Sequence, residues 1–365
     1  MEKRVICAMS GGLDSSVAAA LLKRASFDVI GVFMKFWSEP REDGLIGNIN
    51  RCCAPEAEIR ARKVAKILKI PFYVFDFSKE FKERIVDYFL DGYEKGITPN
   101  PCVVCNKEIK IGLLLEKALS LDADYVATGH YARKIQNSKF KMQNENSKCK
   151  IFKLLRAKDK NKDQSYFLWM LNQEQLKRIL FPIGDYTREE VENLARKFKL
   201  PVLGIKKSVE ICFIQTTVSD FLRKYLKEKP GKIVDTEGKI LGEHKGLWFY
   251  TIGQRKGIGL SGGPWWVLDK DLKKNFLIVT KNEKDLLKKE LICKNVNWIS
   301  GKGPKLPIKV KAKIRYKSNF AKATICPAKN KVYKVIFEES QRAITPGQSA
   351  VFYKGEEVLG GGIIV

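Results

Sequence analysis

The feature that most constrains this chain is Ser10-Gly11-Gly12-Leu13-Asp14-Ser15-Ser16, set between an apolar run, Val5–Met9, and a helical pattern from Asp14 to Arg24. A strand, a glycine-rich turn and a helix in that order predict the first unit of a parallel α/β sheet. Glycines let the backbone approach an anion closely. The helix start adds unpaired N–H groups and the positive end of a dipole. Ser10, Ser15 and Ser16 can contribute hydroxyl donors. No lysine stands where a γ-phosphate-cleaving P-loop needs one, and an aspartate in the loop suits a site holding pyrophosphate with Mg²⁺. The alternative is an ordinary glycine-rich turn, against which the strand–loop–helix context argues.

The same alternation continues. Val29–Met34 reads as a second strand and Glu56–Leu68 as a helix with Ile59, Val64, Ile67 and Leu68 available for a buried face. Pro71–Phe77 is a third strand, followed by a helix carrying Phe81, Ile85, Val86 and Phe89. Helix Asn106–Leu119 then leads to a fourth strand, Tyr125–Thr128. Right-handed crossovers would place the ligand site at the carboxyl ends of these strands. The stretch around Ile151–Leu155 reads as a short hairpin or loop insertion, and Thr187-Arg188-Glu189-Glu190 as a capping box. Beyond about residue 205, glycine-rich turns and short alternating segments such as Ile308–Tyr316 and Val332–Phe337 replace helices. The expectation is an α/β chain in three units. They are a Rossmann-like parallel-sheet domain over 1–204, a small, mainly β linking domain over 205–272, and a C-terminal β-barrel over 273–365.

Composition narrows the function. The 68 basic and 41 acidic residues leave a formal charge of +27 on 365 residues, which suits a polyanionic partner such as nucleic acid. For any single lysine, a solvated face is the alternative. No apolar run approaches the roughly 18 residues of a membrane span, and the N-terminus lacks a signal-peptide core, so a cytoplasmic protein is expected. Nine cysteines from Cys7 to Cys326, in a chain with ample core, point to catalysis, redox or metal binding rather than a disulfide framework.

Thr98-Pro99-Asn100-Pro101-Cys102-Val103-Val104-Cys105-Asn106-Lys107 sets a CxxC at the start of a helix, with Pro99 and Pro101 stiffening the approach. Cys105 is expected at the helix N-terminus, where a thiol's pKa falls and its nucleophilicity is useful. Half of a zinc site and two ordinary thiols are the alternatives. Zinc would want a second close pair, and adjacent Cys52-Cys53 is an awkward one. Cys212 alone reads as a buried strand cysteine.

Taken together, these residues resemble the PP-loop ATP pyrophosphatases and, among them, the tRNA-specific 2-thiouridylase family. The resemblance runs from the PP-loop through Arg51-Cys52-Cys53, Thr98–Lys107, Thr128–Arg133, Lys162–Leu168 and Glu210–Ile214. It continues through His244–Leu247, Tyr250–Gly257, Arg315-Tyr316, Pro346–Tyr353 and Gly360–Gly362. It implies ATP held by Ala8, Met9, Ser10, Gly11, Gly12, Leu13, Asp14 and Ser15, with Met34 and Gly129 on the adenine or ribose side and Mg²⁺ as cofactor. It implies adenylation of O2 of the wobble uridine in tRNAs for Lys, Glu and Gln. A persulfide on Cys212, with Cys105 as partner thiol, would then supply sulfur, and the pair could end as a disulfide. Asn100, Pro101 and Cys102 would face the target base. His130, Lys162, Asp163, Gln164, Arg315, Tyr316 and Gln348 would contact tRNA. A cysteine desulfurase or sulfur-relay protein would load the sulfur.

Many relatives have Asp where this chain has Cys102, so Cys102, Cys105 and Cys212 could instead ligate an iron–sulfur cluster. Two competing functions are another PP-loop adenylating ligase acting on a small carbonyl substrate and a non-catalytic tRNA-binding protein. The first needs neither paired cysteines nor a basic C-terminal domain. For the second the PP-loop would be superfluous.

Overall fold

The computed structural model describes residues 2–39, 50, 54–137, 151–204, 211–328 and 332–365. Arg51-Cys52-Cys53 and Glu210 lie outside them. The first unit is a five-stranded parallel sheet. Strands β1 (Arg4–Ala8), β2 (Asp28–Lys35) and β3 (Phe72–Asp76) step outward in one direction. The strands β4 (Tyr125–Ala127) and, at the far edge, Ile179–Leu180 lie on the other side of β1. Val5 is in register with Val29 of β2 and Tyr125 of β4, so the strand order reverses at β1. A crevice opens at such a reversal, beyond the carboxyl ends of the strands. Both the Ser10–Gly12 loop and Thr128-Gly129-His130 emerge there.

Helix α1 (Leu13–Arg24) follows β1 directly, and Val17, Ala18, Ala19 and Leu22 are buried in the sheet's core. Helix α2 (Pro55–Leu68) departs from the sequence expectation. It buries Ala57, Ala61, Val64 and Ala65, whereas Ile59 and Ile67 are 53% and 45% exposed. The small alanine face allows a close approach to the glycine loop, and the isoleucines fall on the opposite side. Phe81, Ile85, Val86 and Phe89 are buried as expected, in a helix of Ser78–Phe81, a π-helical stretch Lys82–Val86 and Asp87–Glu94.

The helix carrying the CxxC starts earlier than its hydrophobic spacing indicates. Pro101 occupies its first turn behind Asn100, and the helix runs as Pro101–Cys105, a π-helical Asn106–Leu113 and Leu114–Leu119. Cys105 is therefore a full turn inside the helix, and Cys102 is the thiol at its N-terminus. This corrects the expected placement. Proline at that position loses no helical hydrogen bond, so it extends the start backwards.

The stretch around Ile151–Leu155 is one arm of an antiparallel hairpin formed by Ala132–Asn137 and Ile151–Arg156. Its second arm also pairs with the C-terminal strand through Leu154↔Val358 and Leu155↔Glu357, which fixes the first unit to the last. The central sheet holds Gly231–Val234, Ile240–His244, Trp266–Asp271 and Phe276–Thr280 over a core of Ile233, Leu247, Val267, Leu277 and Val279. The expected division between 272 and 273 falls in the turn joining its last two strands. Six antiparallel strands then run from Leu287–Trp298 to Glu357–Ile364, and pairing of the first with the last, Cys293↔Ile364, closes a barrel. Ile325, Val335, Phe337 and Phe352 fill it. Among the described residues no helix is long and apolar enough to cross a membrane.

Candidate active site

The glycine loop is held open from two sides. Gly11 has φ +68°, and a Cβ there would lie 2.0 Å from the Ala57 carbonyl oxygen of α2. Arg60 Nε donates to the Gly11 carbonyl at 3.2 Å. Ser15 Oγ accepts from the Ser10 amide at 3.1 Å, and Ser16 Oγ donates to the Gly12 carbonyl at 2.8 Å. Gly12 caps α1 without a side-chain bond, leaving the first amides of the helix available to an anion. Gly129 packs on the same turn, since a Cβ there would meet the Ser15 amide nitrogen at 2.6 Å.

These residues surround a cavity of about 230 Å³ lined by Ala8, Met9, Ser10, Gly12, Asp14, Ser15, Met34, Phe36, Lys110, Thr128, Gly129, His130 and Gln164. Gly11 and Leu13, expected at the nucleotide, lie off this lining: Gly11 turns towards α2, and Leu13 is buried in the core. Among the described residues Asp14 is the one carboxylate on the lining. Its Oδ1 accepts from Tyr131 Oη at 2.9 Å and from the Arg188 guanidinium at 2.7 Å. Burial and the Asp14 carboxylate push the Tyr131 phenol upward, so it remains a donor. As a carboxylate on the cavity wall, Asp14 has the oxygen donors that magnesium takes and would be the residue to hold that ion.

A second cavity, about 280 Å³, abuts the first. Phe81, Ile85, Pro101, Cys102, Cys105, Asn106, Lys110, His130, Gln164, Phe167, Ile211, Cys212 and Phe213 line it. Lys110, His130 and Gln164 belong to both walls. Cys105 and Cys212, 107 positions apart in the chain, thus share one chamber beside the first cavity. Cys105 is buried and Cys212 half-buried, and Phe213 packs on Phe81 and Phe89 to seat the Cys212 segment. His130 bonds Thr128 Oγ1 through Nδ1 at 2.9 Å. Burial and then the charge of Lys110 press its imidazole down to about 3, so it is neutral at physiological pH. Among the described residues no three His, Cys, Asp or Glu side chains gather to hold a metal. The iron–sulfur expectation for Cys102, Cys105 and Cys212 therefore finds no support.

The residues expected at tRNA divide. His130 and Gln164 line the chambers, and Gln164 Oε1 accepts from the Tyr131 amide at 2.9 Å. Asp163 is held by Arg156 at 2.8 Å and by the Ala157 amide. Arg315 donates to the Ala343 carbonyl and Thr345 Oγ1. Tyr316 packs on Phe167, with ring centres 4.5 Å apart, and so supports the wall of the cysteine chamber. Gln348 Nε2 donates to the Thr98 carbonyl at 2.8 Å, and Lys162 is half-buried beside Asp163. Pro101 and Cys102 line the cysteine chamber, while Asn100 bonds the buried Tyr166. Sequence reasoning missed Lys110, Asn106, Phe36 and Phe167. Lys110 and Asn106 sit within five residues of Cys105, but only the π-helical turn reveals which way that helix face points.

An anion loop at the reversal of a parallel sheet, without a P-loop lysine, marks a nucleotide-activating α/β enzyme; the adjoining pair of thiols adds group-transfer chemistry. Three family models match in series: the tRNA methyl transferase HUP domain over residues 3–216, the tRNA methyl transferase PRC-barrel domain over 219–281 and the aminomethyltransferase beta-barrel domain over 288–364. The tRNA-specific 2-thiouridylase MnmA of Clostridium perfringens is 46% identical over 370 residues, covering 100% of this chain and 98% of that protein. The Clostridioides difficile MnmA is 45% identical over 368 residues, and MnmA 1 of Caldanaerobacter subterraneus subsp. tengcongensis is 48% identical over 372. Both alignments cover 100% of this chain and 98% of the relative. The chain belongs to the tRNA-specific 2-thiouridylase family.

Proposed function

We propose that this chain is an ATP-dependent tRNA uridine 2-sulfurtransferase acting on the wobble position of tRNAs for Lys, Glu and Gln. The observation that carries the reading is the common wall of the nucleotide cavity and the cysteine chamber, which sets a phosphate site and two thiols against one space. The alternative ligase on a small carbonyl substrate has no use for Cys105 and Cys212 at that wall. A methyl transferase, the word in the family-model descriptions, has no need of a loop built for pyrophosphate.

In the first step O2 of a uridine bonds to the α-phosphorus of ATP, the bond to the bridging oxygen breaks, and pyrophosphate leaves with the electron pair. The N3 proton goes to water. A carbonyl oxygen is a poor leaving group, and adenylation makes it a good one. Ala8, Met9, Ser10, Gly12, Asp14, Ser15, Met34 and Gly129 hold the nucleotide. Asp14 would be the residue to hold magnesium, which would supply charge neutralisation when bound. The terminal sulfur of a Cys212 persulfide then bonds to C2, and the C2–O2 bond breaks to release AMP. Finally the Cys105 thiolate attacks Cys212 Sγ. The 2-thiouridine sulfur leaves, N3 regains a proton, and the two cysteines remain as a disulfide for an external reductant to open. Cys102 is not needed on this route.

The wobble base must leave its stack to reach the chamber, as with other enzymes that act on a base. A cysteine desulfurase or sulfur-relay protein would load Cys212 in the cytoplasm. The division into three units is proposed with its second boundary after Thr280, where the central sheet ends. Mass analysis of tRNA nucleosides after incubation with ATP, Mg²⁺ and a persulfide donor tests the reading. Wobble 2-thiouridine with equal AMP and pyrophosphate is expected, lost in Cys105→Ser and Cys212→Ser. Pyrophosphate release independent of tRNA would overturn it in favour of the ligase.

A further inference from the structure

The helix behind the CxxC changes pitch where it passes the two cavities. Asn106–Leu113 is π-helical, and such turns are rare and concentrated at functional sites. In an α-helix, residues five apart diverge by well over a third of a turn; a π turn, with bonds between residues five apart, brings them back towards one face. Cys105 and Lys110 are five apart, and both line the cysteine chamber. Lys110 reaches further and also lines the nucleotide cavity. Gly112 admits this pitch: a Cβ on it would lie 2.7 Å from the Lys107 carbonyl oxygen, five residues back. Of the described residues lining either cavity, Lys110 is the only one carrying a positive charge, because His130 is neutral.

We propose that Lys110 is a catalytic residue of the adenylation step, its ammonium meeting the α-phosphate at the junction of the two cavities, and that the Gly112-dependent π turn is what delivers it there. The inference rests on the adenylation reading above. As O2 approaches phosphorus, negative charge grows on the non-bridging oxygens and on the departing pyrophosphate. A fixed cation in a partly dry site stabilises that charge without having to reorganise. Lys110 keeps its proton throughout. A loop that lacks the P-loop lysine therefore receives its cation from a distant helix, 95 positions after Ser15.

The test measures pyrophosphate release and 2-thiouridine formation separately, with full-length protein, cognate tRNA transcript, ATP and Mg²⁺. The variants are Lys110→Met, Lys110→Arg and Gly112→Ala. Lys110→Met is expected to slow pyrophosphate release roughly 100- to 1000-fold, the range for loss of one charge-stabilising group. KM for ATP and tRNA affinity should stay within a few-fold, and Lys110→Arg should recover part of the rate. Gly112→Ala, which keeps every charge and thiol, should slow the same step while leaving tRNA binding intact. Wild-type rates in Lys110→Met would overturn the proposal, as would a loss confined to KM or an equal defect in Arg and Met variants. If wild type itself released no tRNA-dependent pyrophosphate, the adenylation reading would fail instead.

Discussion

Gln348 reaches 250 positions back along the chain to donate its side-chain amide to the Thr98 carbonyl at 2.8 Å. The Thr98 amide answers by donating to the Pro346 carbonyl at 2.9 Å, and Gly347 lies so close that a Cβ would meet the Thr98 carbonyl at 2.8 Å. The barrel thus grips the segment that leads into the Pro101–Cys105 helix. Distance from the thiols does not make this end of the chain a bystander, since its loop sets where Cys102 and Cys105 stand.

Gln348→Ala should therefore act on turnover more than on tRNA affinity. The lost hydrogen bond amounts to about 1 kcal/mol, or roughly a fivefold loss in single-turnover thiolation. Filter binding of tRNA should change less than twofold. Weakened binding at an unchanged single-turnover rate would return Gln348 to direct tRNA contact.

The two loop glycines should fail in different ways. Gly11 has φ +68° with no room for a Cβ, so Gly11→Ala should cost roughly 1–3 kcal/mol in chemical denaturation. Gly12 has φ −92°, and its nearest neighbour to a Cβ is Ser10 Oγ at 3.5 Å. Gly12→Ala should leave stability within about 0.5 kcal/mol, while its methyl enters the phosphate cavity and tRNA-dependent pyrophosphate release falls. Equal stability losses in both would show that the loop is read wrongly.

The contrast between those glycines shows where the sequence was legible. Val5–Met9, the double glycine and the helix after it announce a strand, a loop and an anion site, because each signal is local. The exposed Ile59 and Ile67 show the limit. Helical spacing allows either face of α2 to be buried, and the close approach of Gly11 to Ala57 selects the alanines. Cys212 reads as a core strand residue because nothing local places Ile211–Phe213 against the Cys105 helix; the aromatic cluster around Phe213 does that. Lys110 was hidden for a related reason: π pitch leaves no pattern in hydrophobic spacing.

Acid should unfold this protein partly through His130. Its imidazole is near 3 in the folded chain against 6.5 for an exposed histidine, because burial and Lys110 disfavour the charged form. Above 6.5 both states are neutral and His130 adds no pH dependence. Between 6.5 and about 3 only the unfolded chain takes up the proton, so stability falls as pH falls through that window. The melting temperature of His130→Gln should decline less steeply than wild type between those limits. Parallel curves would remove His130 as the source.

Binding of tRNA should be governed by exposed lysines on the barrel rather than by Arg315. Along Ile308–Lys313, Val310 and Ala312 face inward while Lys309 and Lys311 are exposed. Lys311 stands directly across from Lys322 on the neighbouring strand, and Lys322 is itself within 3.6 Å of Glu338. A phosphate backbone laid along this face would meet the exposed Lys309 and Lys311 together. Arg315 has its guanidinium bonded to Ala343 and Thr345 and holds the barrel's own loop. Affinity should fall with salt at a log–log slope steeper than about −3, since each phosphate neutralised contributes roughly 0.7–0.9. Replacing Lys309 and Lys311 together by Gln should flatten that slope by about 1–2 and leave the melting temperature unchanged. Arg315→Gln should instead lower the melting temperature with little change in slope. A flat salt response in wild type would show that the +27 charge serves something other than tRNA.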